Sequence, residues 1–207
     1  MLPSVPMASH HSTLSKTVSP DGLPEDSPRS LAGSHGEEEA CIALIGMPGS
    51  GKSTLAQELS RMLGMAWLDT DFLLESWFGV PLEHLKNALS RNEFLRAEER
   101  MVLDLWVRRC IIATGGSVIY SPPAIRKLQH IGHVIHLQAD VETIISRVSQ
   151  NPDRGLILNP NQDLRSLYEE RTPLYERSAD FEVLTGRHSL QECCQQIKDW
   201  MYGSRES

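Results

Sequence analysis

The chain has only four cysteines, Cys41, Cys110, Cys193 and Cys194, and no two of them stand at C-x-x-C spacing. Neither a zinc site nor a disulfide framework is expected, and the thiols are read as reduced, as in a cytoplasmic protein. Positive charge is also short: 20 lysines and arginines stand against 27 acidic residues, a formal net charge of −7. That excludes the basic stripe a nucleic-acid surface needs. No apolar run approaches the ~20 residues of a membrane-spanning helix. The opening Met1-Leu2-Pro3-Ser4-Val5-Pro6 lacks the charged start and continuous apolar stretch of a secretory signal. These absences leave an acidic globular protein, expected to be cytoplasmic and monomeric, with neither nucleic acid nor membrane as partner.

Composition changes near residue 39. Residues 1–39 are rich in proline and serine and end in Glu37-Glu38-Glu39. They hold too little apolar surface to offset the entropy of ordering and are expected to form a disordered tail. Residues 40–203 form the folded domain, and 204–207 a short C-terminal tail. Within the domain, apolar runs suited to buried strands (41–45, 66–69, 111–114, 133–137 and 181–184) alternate with helical patterns. The helices are expected at 54–64, 82–90, 93–109, 122–129, 140–149, 163–177 and 189–202. This alternation implies an α/β fold, a five-stranded parallel sheet with helices on both faces, which the glycine loop read next makes one of the P-loop NTPase type. Ligands of such sheets bind beyond the carboxyl ends of the strands. Trp106, Val107 and Cys110, with Ile197, Trp200 and Met201, read as core packing.

After the first strand comes Gly46-Met47-Pro48-Gly49-Ser50-Gly51-Lys52-Ser53-Thr54, which meets G-x-x-x-x-G-K-[ST] at every fixed position. Gly46, Gly49 and Gly51 let the backbone curl, and its N–H groups, with those of Ser50 and Thr54, point at a polyphosphate. Lys52 reaches the β- and γ-oxygens, and Ser53 can ligate Mg²⁺. The expected ligand is ATP with Mg²⁺.

Three further groups stand at strand ends or after them. Asp69-Thr70-Asp71 offers one carboxylate for the metal shell (Asp69) and one for an acceptor hydroxyl (Asp71). Asp69 is equally suited to cap a helix starting near Phe72. Gly115-Gly116 after the third strand allows a ligand to approach the backbone closely. The connection 150–163 is long enough for a lid, and Arg154 is its only cation. An arginine there can neutralise phosphoryl charge on closure. In Glu170-Arg171-Thr172-Pro173-Leu174-Tyr175 the proline disturbs the local hydrogen bonding, so Arg171 is a candidate to face a ligand.

Taken together, in this order, these motifs resemble the shikimate kinase family over about residues 40–203. The resemblance implies a nucleotide core, a substrate-binding helical segment and an arginine-bearing lid. It places the D-x-D motif on Asp69 and Asp71, the strand-T-G-G motif on Ile111–Gly116, the lid arginine on Arg154 and the R-x-P-L-Y motif on Arg171–Tyr175. It also gives Arg147 the role of stacking on adenine.

Two positions depart from the family. Its F-R-x-x-E signature, whose arginine helps hold the substrate carboxylate, reads Phe94-Leu95-Arg96-Ala97-Glu98 here. Leu95 replaces the arginine, and Arg96 lies about 100° further round the helix. Ser117 replaces the third glycine of the family's triple. Losing one arm of a carboxylate clamp should cost roughly 1.5–3 kcal/mol. With Glu98 then free, the pocket suits a zwitterion whose carboxylate goes to Arg171 and whose ammonium goes to Glu98 or Asp71. Homoserine is therefore expected ahead of shikimate as the small-molecule acceptor. A nucleotide sensor would not need Asp71 or Arg171, and a docking protein built on the tail would need no kinase site.

Overall fold

The computed structural model describes residues 39–150 and 162–203. The expected tail over 1–38, the last residues 204–207, and nearly all of the expected lid, with Arg154, lie outside the described residues. Five strands, β1 (Cys41–Ile45), β2 (Ala66–Asp69), β3 (Cys110–Ala113), β4 (Gly132–Gln138) and β5 (Phe181–Leu184), form one sheet in the order β2-β3-β1-β4-β5. All four pairings are parallel, with Ile42 of β1 opposite Ile111 on one side and His133 on the other. The expected α/β fold is therefore observed.

Eight helices were located among the described residues: α1 (Lys52–Leu63), α2 (Thr70–Phe78), α3 (Leu82–Ala88), α4 (Arg91–Leu103), α5 (Pro122–Ile131), α6 (Val141–Ser149), α7 (Leu164–Ser178) and α8 (Leu190–Tyr202). Side-chain alternation along β1 divides the core in two. Ile42 and Leu44 pack with Leu55 and Leu59 of α1 and with Cys193 and Ile197 of α8. Ala43 and Ile45 pack on the opposite face with Ala124 and Leu128 of α5 and Tyr175 of α7. A third, smaller cluster, Leu74, Leu85, Phe94 and Met101, fastens α2, α3 and α4 to one another. Those three helices form one wall of the site. Ser90 starts α4 with a reciprocal capping box to Glu93, and Ser189 does the same for α8 with Glu192.

Two expectations fail at α4 and beyond it. The helix ends at Leu103 rather than 109, because the chain must turn back to the sheet before Cys110. Arg109 makes that turn in the left-handed region (φ 47°), donating its N–H to the Glu39 carbonyl. Trp106 sits in this connection and is 52% exposed, with Lys127 over its ring at 4.8 Å, so it is not core. Val107, Trp200 and Met201 are half-buried against the core, while Cys110 and Ile197 are buried. All four cysteines are buried free thiols. Among the described residues no helix is long and apolar enough to cross a membrane.

Candidate active site

The carboxyl ends of the parallel strands open into one cleft of about 290 Å³. Its nucleotide end is the loop between β1 and α1. Gly51 caps α1 at φ 96°, and a side chain on Gly46 (φ 144°) would press into the Leu137 carbonyl at 2.6 Å. Only glycine serves at both positions. Lys52 is buried, and its ammonium donates to the carbonyls of Gly46 (2.9 Å) and Met47 (2.8 Å). The Ser50 hydroxyl is buried with no hydrogen-bond partner found for it. A buried donor of this kind and a lysine on loop carbonyls fit a loop built to receive phosphate oxygens. Thr54 is exposed in the first turn of α1. Arg147 of α6 donates to the Gly49 carbonyl (3.1 Å) and the Thr185 carbonyl (3.3 Å), which sets it beside the outer side of the loop.

Asp69 caps a helix, and its second oxygen stays beside Ser53. One oxygen accepts the Asp71 N–H (2.9 Å) and caps α2, which begins at Thr70 rather than near Phe72. The other accepts the Ser53 hydroxyl at 2.6 Å. Ser53 and Asp69 thus present two hard oxygen donors at the foot of the loop. No group of three or more His, Cys, Asp or Glu that could hold a metal occurs among the described residues. Two donors fit Mg²⁺, which keeps several waters and takes further ligands from phosphates.

The acceptor end is assembled from separate elements. Asp71 comes from α2, Lys86 from α3, Glu98 from α4, Gly116 and Ser117 from the turn after β3, and Arg171 from α7. Both glycines sit where a side chain would crowd residues of the site. A side chain on Gly115 would stand 2.2 Å from a Glu98 oxygen and 2.8 Å from an Asp71 oxygen, so both carboxylates crowd that point. On Gly116 it would meet Pro48 at 3.0 Å and Arg171 Nη1 at 3.1 Å. Pro48 therefore links the loop to the acceptor end. The Gly115 N–H is fixed by the Thr70 hydroxyl (2.9 Å), and the Gly116 carbonyl accepts from Tyr175 (2.6 Å).

Arg171 is 2% exposed inside an uninterrupted α7, so Pro173 has not broken the helix. Its guanidinium lies 5.0 Å from the centroid of the Tyr120 ring, and Nε donates to the Tyr120 hydroxyl at 3.2 Å. Tyr120 donates in turn to Glu170 (2.5 Å) and carries Arg91 over its ring at 4.8 Å.

Glu98 requires a correction. It is not a free carboxylate, because the Ser117 hydroxyl donates to its Oε2. The two departures from the family pattern are thus connected: Leu95 removes an arginine near Glu98, and Ser117 supplies a hydroxyl to it. Burial is the main cause that pushes the Glu98 carboxyl up to about 7; the Ser117 bond opposes the shift and the Asp71 charge adds to it. Leu95 does not line the cleft. It faces a neighbouring cavity of about 240 Å³ with Arg96, Val118 and Tyr120.

Sequence motifs brought Gly46, Gly49, Gly51, Lys52, Ser53, Asp69, Asp71, Glu98, Gly115, Gly116 and Arg171 to one region, and the structure joins them. Lys86, Thr70 and Tyr120 were missed. Lys86 and Tyr120 belong to no motif, and the Thr70 hydroxyl gains its role only when β2 and β3 lie side by side.

The family model for shikimate kinase matches residues 48–202. Shikimate kinase of Vibrio vulnificus (strain YJ016) is 33% identical over 163 residues, covering 77% of this chain and 95% of that protein. The Histophilus somni (strain 2336) enzyme is 34% identical over 166 residues, covering 78% and 95%. Among solved structures, shikimate kinase from Acinetobacter baumannii in complex with shikimate superposes with a TM-score of 0.75 at 28% identity, covering 83% of this chain and 97% of that one. With its fold, its phosphate loop and these matches, the chain is a small-molecule kinase and belongs to the shikimate kinase family.

Proposed function

We propose that this kinase transfers the γ-phosphoryl group of ATP to a hydroxyl of shikimate, giving shikimate 3-phosphate and ADP. One observation carries the reading: a single cleft holds the phosphate loop at one end and, at the other, the buried guanidinium of Arg171 together with Asp71. A carboxylate held by Arg171 and a hydroxyl oriented by Asp71 describe a small hydroxy acid. The named relatives agree, and the A. baumannii structure was solved in complex with shikimate.

The order of acceptors expected from Leu95 is therefore reversed. Homoserine needs a free anion for its ammonium, but Glu98 is hydrogen-bonded by Ser117. With its carboxyl pushed to about 7, Glu98 carries only part of a charge at neutral pH. The cleft also holds Lys52 and Lys86 beside Arg171, so it is not short of positive charge. The comparisons supply nothing in favour of homoserine.

In this reading the loop amides and Lys52 hold the triphosphate, and the lysine exchanges carbonyl partners for phosphate oxygens. Mg²⁺, when held by Ser53 and Asp69, neutralises phosphate charge. Asp71 orients the attacking hydroxyl and takes its proton as the new P–O bond forms and the bond to ADP breaks. Arg171 fixes the acceptor by its carboxylate, so that the hydroxyl lies in line. Arg147, beside the loop, is assigned to the adenine end, and Arg154 to the phosphates. Purified protein with ATP and Mg²⁺ should release ADP on addition of shikimate, with a product one phosphoryl group heavier. Turnover with homoserine while shikimate stays inert would overturn the assignment.

A further inference from the structure

Arg171 is a buried guanidinium, yet among the described residues no carboxylate forms an ion pair with it. Its neighbours are phenols instead. Nε donates to the Tyr120 hydroxyl at 3.2 Å, and the guanidinium carbon lies 5.0 Å from the centroid of that ring. Burial opposes the arginine's charge, and the phenols of Tyr175 and Tyr120 favour it. Tyr175 stands one turn further along α7, and its hydroxyl is already donated to the Gly116 carbonyl at 2.6 Å. Tyr120 comes from a different element, the short 3₁₀ turn Val118–Tyr120 between β3 and α5. The nearest carboxylates have other partners. Glu170 accepts the Tyr120 hydroxyl (2.5 Å) and the Gln162 amide (2.6 Å), and Glu98 accepts the Ser117 hydroxyl.

We propose that Tyr120 is the positioning residue of the acceptor end: it aims the Arg171 guanidinium at the acceptor carboxylate and leaves its charge unneutralised. The inference rests on reading the acceptor as a carboxylate-bearing hydroxy compound. A buried guanidinium needs partners for its N–H groups. A carboxylate partner would satisfy two of them at once, but it would also cancel the charge that the acceptor has to meet. A phenol satisfies one donor and stays neutral. Because the Tyr120 hydroxyl gives its proton to Glu170, its oxygen is left to accept from Nε, which fixes the sense of the contact. The ring face adds a cation–π attraction that holds the guanidinium in place. With Nε tied down, Nη1 lies beside Gly116 on the wall of the cleft, where a planar fork meets a carboxylate.

The test is a double-mutant cycle on acceptor kinetics, run with shikimate and with its carboxamide, which keeps the hydroxyls but lacks the charge. Tyr120→Phe keeps the ring and removes only the hydroxyl. It should raise KM for shikimate about 3- to 10-fold, the worth of one hydrogen bond, with kcat and KM for ATP little changed. KM for the carboxamide should hardly move. Tyr120→Leu removes the ring as well and should raise KM for shikimate further. In an Arg171→Ala background Tyr120→Phe should have no further effect on either acceptor, since the residue it aims is gone. A merely structural role would persist in that background and would disturb kcat or KM for ATP too. An unchanged KM for shikimate in Tyr120→Phe, an equal rise for the carboxamide, or additivity with Arg171→Ala overturns the role of Tyr120 while leaving shikimate as substrate. If wild-type protein turns over homoserine but not shikimate, the functional reading fails by itself. The same cycle measured on homoserine, which also bears a carboxylate, then decides Tyr120. Inertness towards every carboxylate-bearing acceptor overturns both.

Discussion

The two ends of the cleft are built in opposite ways. The nucleotide end is local: between Gly46 and Ser53 one loop supplies the glycines, the lysine and the hydroxyl, and among the described residues Asp69, Arg147 and Thr185 hydrogen-bond to it from elsewhere. The acceptor end is distributed over α2, α3, α4, the turn after β3 and α7. A local grip binds a ligand common to many proteins, with backbone groups whose positions are set by φ and ψ. A distributed grip lets each helix contribute one charged or polar group, so the acceptor can be changed one residue at a time. Leu95, Ser117 and Lys86 are three such residues in this chain.

The sharpest way to break the comparison is at the local end. Lys52→Ala should lower kcat/KM by about 10²–10³ or more, since an electrostatic contact to the transferring group is lost in a buried site. The loss should be the same for every acceptor, because the lysine acts on the phosphates, which every acceptor shares. The melting temperature should fall modestly, since the substitution leaves the carbonyls of two buried residues, Gly46 and Met47, without this donor. Steady-state kinetics with a melting curve checks both, and wild-type turnover would remove the nucleotide from this loop.

Asp71→Asn tests the boundary between the ends. Losing the group that takes the hydroxyl proton should lower kcat by about two decades, with KM for ATP unchanged. The cap of α2 should survive, because it uses the Asp71 backbone N–H and the Asp69 side chain. An unchanged kcat would leave Asp71 as a residue of the cleft wall only.

Arg171→Ala acts on the distributed end alone. KM for shikimate should rise about 10- to 100-fold, as expected for a charge-assisted hydrogen bond. Stability should fall as well, because Tyr120 loses a hydrogen-bond donor and one of the two arginines over its ring. Arg171→Lys should recover part of the KM, since a point charge replaces the fork. Equal KM values for wild type and Arg171→Ala would move the carboxylate elsewhere.

Legibility followed the same division. Strand-length apolar runs placed every strand within a residue or so, and the phosphate loop could be read because its chemistry is contiguous. The motif residues Asp71, Glu98, Gly115, Gly116 and Arg171 do stand together at one end of the cleft. What could not be read is the state of those residues once packed. Glu98 looked free from spacing along α4, but Ser117 reaches it only because the turn after β3 lies beside that helix. Lys86 gave no signal, since a lysine on a seven-residue helix is ordinarily a solvated surface group. Trp106 continued an apolar stripe that the helix itself did not continue. Pairings that depend on two distant segments meeting are invisible to periodicity.

Glu98 offers the smallest expected effect and the finest test of the distributed end. Burial raises its carboxyl from 4.5 to about 7, so between those values the folded protein keeps a proton that the unfolded chain has lost. Stability must therefore fall as pH rises through that window, by an amount on the order of 1–3 kcal/mol for a shift of this size, and stay lower above it. Glu98→Gln removes the titration and keeps an acceptor for the Ser117 hydroxyl. Its melting temperature should vary less than that of wild type between pH 5 and pH 8, with the advantage of the variant appearing at the alkaline end. The same ionisation sets a second negative charge beside Asp71, where an acceptor carboxylate must approach. KM for shikimate should accordingly rise as pH passes about 7 in wild type and rise less in Glu98→Gln. Parallel pH profiles for the two proteins, in melting and in KM, would mean that Glu98 is ionised throughout and that Ser117 outweighs its burial.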